Sequence, residues 1–171
     1  MNALPGLTLL LTFLSPLAQA DLIDDVYDRG ELRIAMQADS PPFNYSENGR
    51  LTGFAVELGE LLAKDMEVHA SFIATDSVDL LSGVESGKYD VAFDPVTIPA
   101  ELKNRYSFSD PYIQLKGASS AATGDLAIAM PKGNPAFQEG INNALRRLKE
   151  SGRLAALSQK WQVQEPTQPD Q

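Results

Sequence analysis

Tyr112-Ile-Gln-Leu-Lys-Gly-Ala-Ser-Ser-Ala-Ala-Thr-Gly-Asp-Leu-Ala-Ile-Ala-Met-Pro-Lys-Gly133 is the stretch on which the reading of this chain turns. Two apolar runs, Tyr112–Leu115 and Leu126–Met130, flank Gly117–Asp125, which holds only Gly, Ala, Ser, Thr and one Asp. That pattern predicts two strands joined by a loop of small residues.

Downstream, Asn134-Pro135 predicts a helix start, a capping side chain followed by a proline in the first turn. Phe137, Ile141, Ala144, Leu145 and Leu148 supply its buried stripe, and Arg146, Arg147 and Lys149 complement its C-terminal dipole. After Gly152, the residues Leu154, Leu157 and Trp161 predict a last short helix that packs on the core. Residues 162–171, with two prolines and four glutamines, predict a disordered tail.

Upstream, strands and helices alternate. Asp21–Asp28 reads as a helix closed by Gly30, and Leu32, Ile34 and Met36 as the first strand. Ser40-Pro-Pro-Phe-Asn-Tyr45 cannot be helical, and Asn48-Gly49 is a turn able to take positive φ. Phe54, Leu58, Leu61 and Leu62 mark an amphipathic helix, Val68–Ile73 a strand, Asp76 the cap of a helix ending at Gly87, and Tyr89–Phe93 a third strand. Alternation of this kind argues an α/β fold with a mostly parallel sheet and helices on both faces.

The first 20 residues carry no charge, hold an apolar run from Leu7 to Leu17 and end in Ala18-Gln-Ala20. They predict a secretory signal peptide cleaved after Ala20, hence a periplasmic protein with no membrane insertion after cleavage. Removing them from 171 residues leaves 151, the size of one domain. The chain has no cysteine and a net charge of −9, which exclude disulfides and thiolate sites and argue against nucleic-acid binding.

In an open α/β sheet a ligand sits beyond the carboxyl ends of the parallel strands. These ends offer Asp39, Ser40, Phe43, Thr75, Asp76, Ser77, Asp94 and Thr97, a polar set poor in cations. The single histidine, His69, begins a strand, which leaves neither a triad nor a histidine metal site. No cofactor, metal or catalytic residue is expected, and the chain does not read as an enzyme.

Several stretches follow one another in an order that resembles a known family. They are Gly30-Glu-Leu-Arg-Ile-Ala35, Pro41-Pro-Phe-Asn-Tyr45, Gly49-Arg-Leu-Thr-Gly-Phe54, Gly87-Lys-Tyr-Asp-Val91, Phe108-Ser-Asp-Pro-Tyr112 and Leu126–Gly133. The chain resembles family 3 of the bacterial extracellular solute-binding proteins, polar amino-acid receptors of ABC importers, with the cystine-binding branch nearest. The resemblance implies a two-lobed clamshell reduced to a single lobe over residues 21–161, with residues 115–125 a linker in place of the second lobe.

By the same resemblance, the ligand-facing positions are Ser40, Phe43, Ser77, Asp94 and Thr97, with Arg105 within reach. Four of the family's positions differ. The stacking aromatic is Ser40, the pocket Trp-Asp-Gly is Ser77-Val-Asp79, a hydroxyl residue is Pro99, and the carboxylate-clamping arginine is Leu102. Ala55 also replaces a structural acidic residue. The expectation is weak or altered capture of a small polar solute such as an amino acid, with an ABC permease as partner. The alternative is a periplasmic interaction protein that uses the former inter-lobe face for a partner or for self-association.

Overall fold

The computed structural model describes residues 21–93, 100–115 and 124–163. Its first helix, α1 (Leu22–Arg29), is capped by the Asp21 carboxylate and closed by Gly30 in the left-handed conformation, φ 66°. β1 (Glu31–Met36) follows, then β2 (Asp39–Ser40), β3 (Asn44–Glu47) and β4 (Arg50–Thr52). These last three form a small antiparallel sheet whose β3–β4 turn places Asn48 and Gly49 at φ 51° and 76°.

α2 (Phe54–Asp65) leads to β5 (His69–Ala74), and α3 (Ser77–Glu85) to β6 (Val91–Phe93). A one-turn 3-10 helix at Ala100–Asn104 precedes β7 (Tyr106–Phe108). β8 (Ile113–Leu115), β9 (Gly124–Leu126), β10 (Ala129–Pro131), α4 (Pro135–Glu150) and α5 (Arg153–Trp161) complete the chain. The main sheet has the order β5-β1-β6-β10-β7, with β1 parallel to β5 and β6, and β10 antiparallel to both its neighbours.

Helices cover both faces. Leu32, Ile34 and Met36 point into the larger core beside Phe54, Leu58, Phe137 and Ile141, while Ala35 joins Leu80, Val84, Tyr89 and Ala92 under α3. A strand buried on both sides reads as a continuous apolar run, which is what the second half of β1, Ile34-Ala35-Met36, shows; Glu31 and Arg33 alternate out of the core before it. Each large aliphatic or aromatic side chain buried this way contributes about 1.5–3 kcal/mol.

Two details depart from the expectations. The run Leu126–Met130 is not one strand: it belongs to β9 and β10, with Ala127 and Ile128 between them. The Ser109 hydroxyl accepts the Ile128 N–H at 2.9 Å, and the Ser109 N–H donates to the Ile128 carbonyl at 2.9 Å. These bonds hold the bend at which the chain passes from the β8–β9 ribbon to the main sheet.

The second departure is at the helix start. The Asn134 side chain makes no hydrogen bond to α4; its Oδ1 accepts the Leu22 N–H at 3.0 Å, at the head of α1. The Asp21 carboxylate takes the donors of α4 in return, Ala136 N–H at 3.1 Å and Phe137 N–H at 3.0 Å. The Asp21 carboxylate thus serves the first turns of both helices, and Asn134 serves the head of α1 in place of its own helix. Pro135 has no N–H to offer, which leaves the orphan donors of α4 one position further on.

Beneath the opposite end of β1 the Asp90 carboxylate is fully buried. It accepts from Arg29 at 2.6 Å, from Arg33 Nη2 at 2.7 Å and from the Arg33 backbone N–H at 2.8 Å, tying α1 and β1 to β6. The hydrogen bond with Asp90 is the main reason the Arg33 pKa is raised above its ordinary value.

Candidate functional site

Met36, Ala74 and Phe93 stand in register at the carboxyl ends of β1, β5 and β6. Because the chain runs from β1 to β5 on one side and then crosses to β6 on the other, this is the edge at which the topology reverses. The Thr75 N–H donates to the Met36 carbonyl at 3.0 Å, so the backbone stays ordered one residue past the strand end.

Ser40 is half-buried, and its Oγ donates to an Asp39 carboxylate oxygen at 3.2 Å. Asn44, fully buried, donates from Nδ2 to the Gln37 carbonyl at 2.8 Å and pins the segment between β1 and β3. Phe43 is half-buried and meets Phe54 edge-on at 6.2 Å; Phe54 stacks on Tyr112 at 6.1 Å, and Tyr112 tilts onto Phe93 at 6.0 Å. This chain of rings forms the floor under the strand ends.

Gly53 makes the approach of Phe43 to α2 feasible. At φ 124°, a Cβ on Gly53 would lie 2.2 Å from the Phe43 carbonyl oxygen, which accepts the Ala55 N–H at 2.8 Å.

Ser77 is the exposed first residue of α3. The helix-end donors beside it are already used: Asp76 Oδ1 accepts Val78 N–H at 3.0 Å and Asp79 N–H at 2.9 Å. Asp39, Asp76 and Asp79 are all exposed, so this edge is acidic among the described residues. Thr75 and Lys88 together hold the Tyr89 phenol below its ordinary pKa, Thr75 with the larger effect, and the Lys88 ammonium lies over the Tyr89 ring, 5.1 Å from its centroid. The Tyr89 ring lies against Gly83, where an added Cβ would fall 2.2 Å from it.

Arg105 stands apart. Its guanidinium pairs with Glu85 at the end of α3 and lies over the Tyr106 ring, 5.6 Å from the centroid. Tyr106 is opposite Pro131, while Phe108 is level with Ala129 and Ala92, so Arg105 precedes the amino end of β7, away from the rim. Leu102 is half-buried against the α3-side core. Asp94, Thr97 and Pro99 lie outside the described residues.

The structure therefore carries Ser40, Phe43 and Ser77 at one edge and Arg105 elsewhere. Reasoning from the sequence missed the Thr75–Tyr89–Lys88 chain; the small residue at Gly83 was its one local sign.

A model of the bacterial extracellular solute-binding proteins, family 3, matches residues 32–164. The chain belongs to this family. It is 38% identical over 96 residues to the L-cystine-binding protein TcyJ of Escherichia coli K12, a match covering 56% of this chain and 36% of TcyJ. The chain thus spans little more than a third of that relative's length. Cyclohexadienyl dehydratase of Pseudomonas aeruginosa is 29% identical over 106 residues, 61% of this chain and 40% of the enzyme.

Among solved structures, the arginine-bound form of domain 1 from TmArgBP is similar with a TM-score of 0.67 and 33% identity. That match covers 73% of this chain and 98% of the domain. The ancestral amino acid-binding protein AncCDT-1 shares the fold at a TM-score of 0.74 and 22% identity, over 83% of this chain and 99% of that one. The family member described here is a single lobe of the periplasmic-binding-protein fold. No helix among the described residues is long and apolar enough to cross a membrane.

Proposed function

We propose that this protein is a single-lobed, periplasmic solute-binding module that captures a polar amino acid at the carboxyl ends of β1, β5 and β6. The observation that carries the reading is the similarity to an isolated domain 1, arginine-bound, over 98% of that domain. A lone lobe of this fold is enough to hold an amino acid in that protein. Ser40, Phe43, Ser77, Asp94 and Thr97 are the contact residues of the proposal, and the 115–125 segment replaces a second lobe.

Capture is weak or altered in selectivity. A charge-assisted hydrogen bond is worth about 1.5–3 kcal/mol, so Leu102 in the clamp position lowers affinity about ten- to a hundredfold. Arg105 cannot take over while Glu85 holds it. The acidic edge favours solutes that carry an ammonium or guanidinium group. Delivery to an ABC permease is the role the family supplies. Calorimetry with arginine, glutamine and cystine tests the reading: saturable heat at about millimolar concentration supports it, and none with any of the three refutes it.

A second reading, a docking module whose rim meets a partner or a second copy, is favoured by Val78, which is 79% exposed beside Ser77. Light scattering of wild type and Val78→Asp decides it: an assembly that the aspartate dissolves supports docking, and a monomer in both eliminates self-association.

A further inference from the structure

β5 is an edge of the main sheet, paired with β1 on one side only. The His69 N–H donates to the Gly30 carbonyl at 2.9 Å and the Thr75 N–H to the Met36 carbonyl at 3.0 Å. Backbone groups alternate in direction along a strand, so His69, Ser71, Ile73 and Thr75 are turned to β1. Ala70, Phe72 and Ala74 present their N–H and C=O groups outward. Among the described residues nothing bonds those outward groups.

Sheet edges are ordinarily blunted by shortness, charge or proline. β7, the opposite edge, is 3 residues long and follows the charged Arg105. β5 is 6 residues long and keeps unbroken register with β1 from Glu31↔His69 to Met36↔Ala74. Its sequence, His69-Ala-Ser-Phe-Ile-Ala74, holds no lysine, arginine, carboxylate, proline or glycine. It is also accessible: His69 and Ala74 are exposed, and Ala70 and Phe72 half-buried.

An open cleft of about 560 Å³ runs beside this edge, lined by Glu60, Lys64, Glu67, Val68, Ala70 and Phe72. Glu60 and Lys64 are exposed, opposite in charge and one turn of α2 apart. A two-fold axis that pairs β5 with a second β5 antiparallel brings the two α2 helices side by side in opposite directions. Each Glu60 then meets the Lys64 of the other copy, the self-complementarity that a two-fold contact requires. This charge pattern selects a second copy over an arbitrary extended peptide. We infer that β5 is a self-association edge, joining the five-stranded sheets of two copies into one continuous sheet. The contact runs along the side of the sheet and leaves the strand-end rim open, so it is separate from the solute site and from docking through Val78.

Sedimentation equilibrium of the purified chain between about 5 and 500 μM tests the inference. A strand of this length spans only about 20 Å, which makes for a contact smaller than that of a permanent dimer. The expected result is a monomer–dimer equilibrium with a dissociation constant of about 100 μM, unmoved by Val78→Asp. Glu60→Lys and Lys64→Glu each weaken it about tenfold, and the double exchange brings it back to within about threefold of wild type. Ala70→Pro removes an outward N–H and leaves the ladder to β1 intact, so it keeps the wild-type circular dichroism and stays monomeric. Should the proline unfold the lobe, the charge exchange still decides. The inference is overturned by a wild type that is monomeric at about 500 μM, or by a dimer that Val78→Asp dissolves. A double exchange no tighter than the single variants, or a folded Ala70→Pro that dimerises like wild type, overturns it equally.

Discussion

Single residues decide how much of the family's chemistry this lobe keeps. Leu102 packs its side chain against the α3-side core at the position proposed above for the carboxylate clamp. Leu102→Arg is predicted to raise amino-acid affinity at the rim about ten- to a hundredfold by calorimetry, an unchanged affinity contradicting the proposed role of that position. Asp90 is a buried charge that ties α1 and β1 to the start of β6. Asp90→Asn removes the negative partner of two arginines, whose side chains are 33% and 27% exposed and can reach water. The expected cost is about 3 kcal/mol in urea unfolding, at the low end for a broken buried pair. Gly53→Ala would push a Cβ into the Phe43 carbonyl. It should lower both stability and strand-end affinity, whereas a variant that kept both would show that Phe43 need not sit where it does.

At the scale of elements, the periodic helices and the buried β1 were legible in the sequence because local spacing specifies them. Phe54, Leu58 and Leu62 share one face of α2, and Phe137, Ile141 and Leu148 one face of α4, as 3.6-residue periodicity requires. The bonds from Asp21 to α4 and from Asn134 to α1 were not legible, because the two residues meet only after α1 packs on α4. Nor was the break after Leu126, since an all-apolar run gives no sign of where a strand changes sheets. The Glu85–Arg105 pair is equally a product of the fold, joining α3 to the residue before β7. The shared caps make a prediction at this scale. Asp21→Ala leaves N–H donors of two helices unpaired at once and should cost about 2 kcal/mol, against about 1 for Asn134→Ala. Equal losses in chemical denaturation would mean that α4 does not depend on Asp21.

Across the whole molecule, the fold was readable from the alternation of strands and helices and from the ordered motifs, and the family match over residues 32–164 agrees. The site was readable only in part. Ser40, Phe43 and Ser77 lie at the edge that open-sheet topology nominates, but their neighbours are carboxylates and a tyrosine linked to Thr75 and Lys88. That acidic edge fits a receptor that has lost the cation for an α-carboxylate and keeps attraction for positive groups. One lobe also covers only one side of a solute, where binding sites bury about 70–90% of a small ligand. The proposed weak binding rests on both causes. The most direct test is an NMR titration of the purified chain with arginine, followed at the amides of Ser40, Thr75 and Ser77. Saturable shifts there with a dissociation constant of about 1 mM are predicted. Silence at those amides up to about 10 mM, or saturation below about 1 μM, would contradict a lobe that still binds but grips weakly.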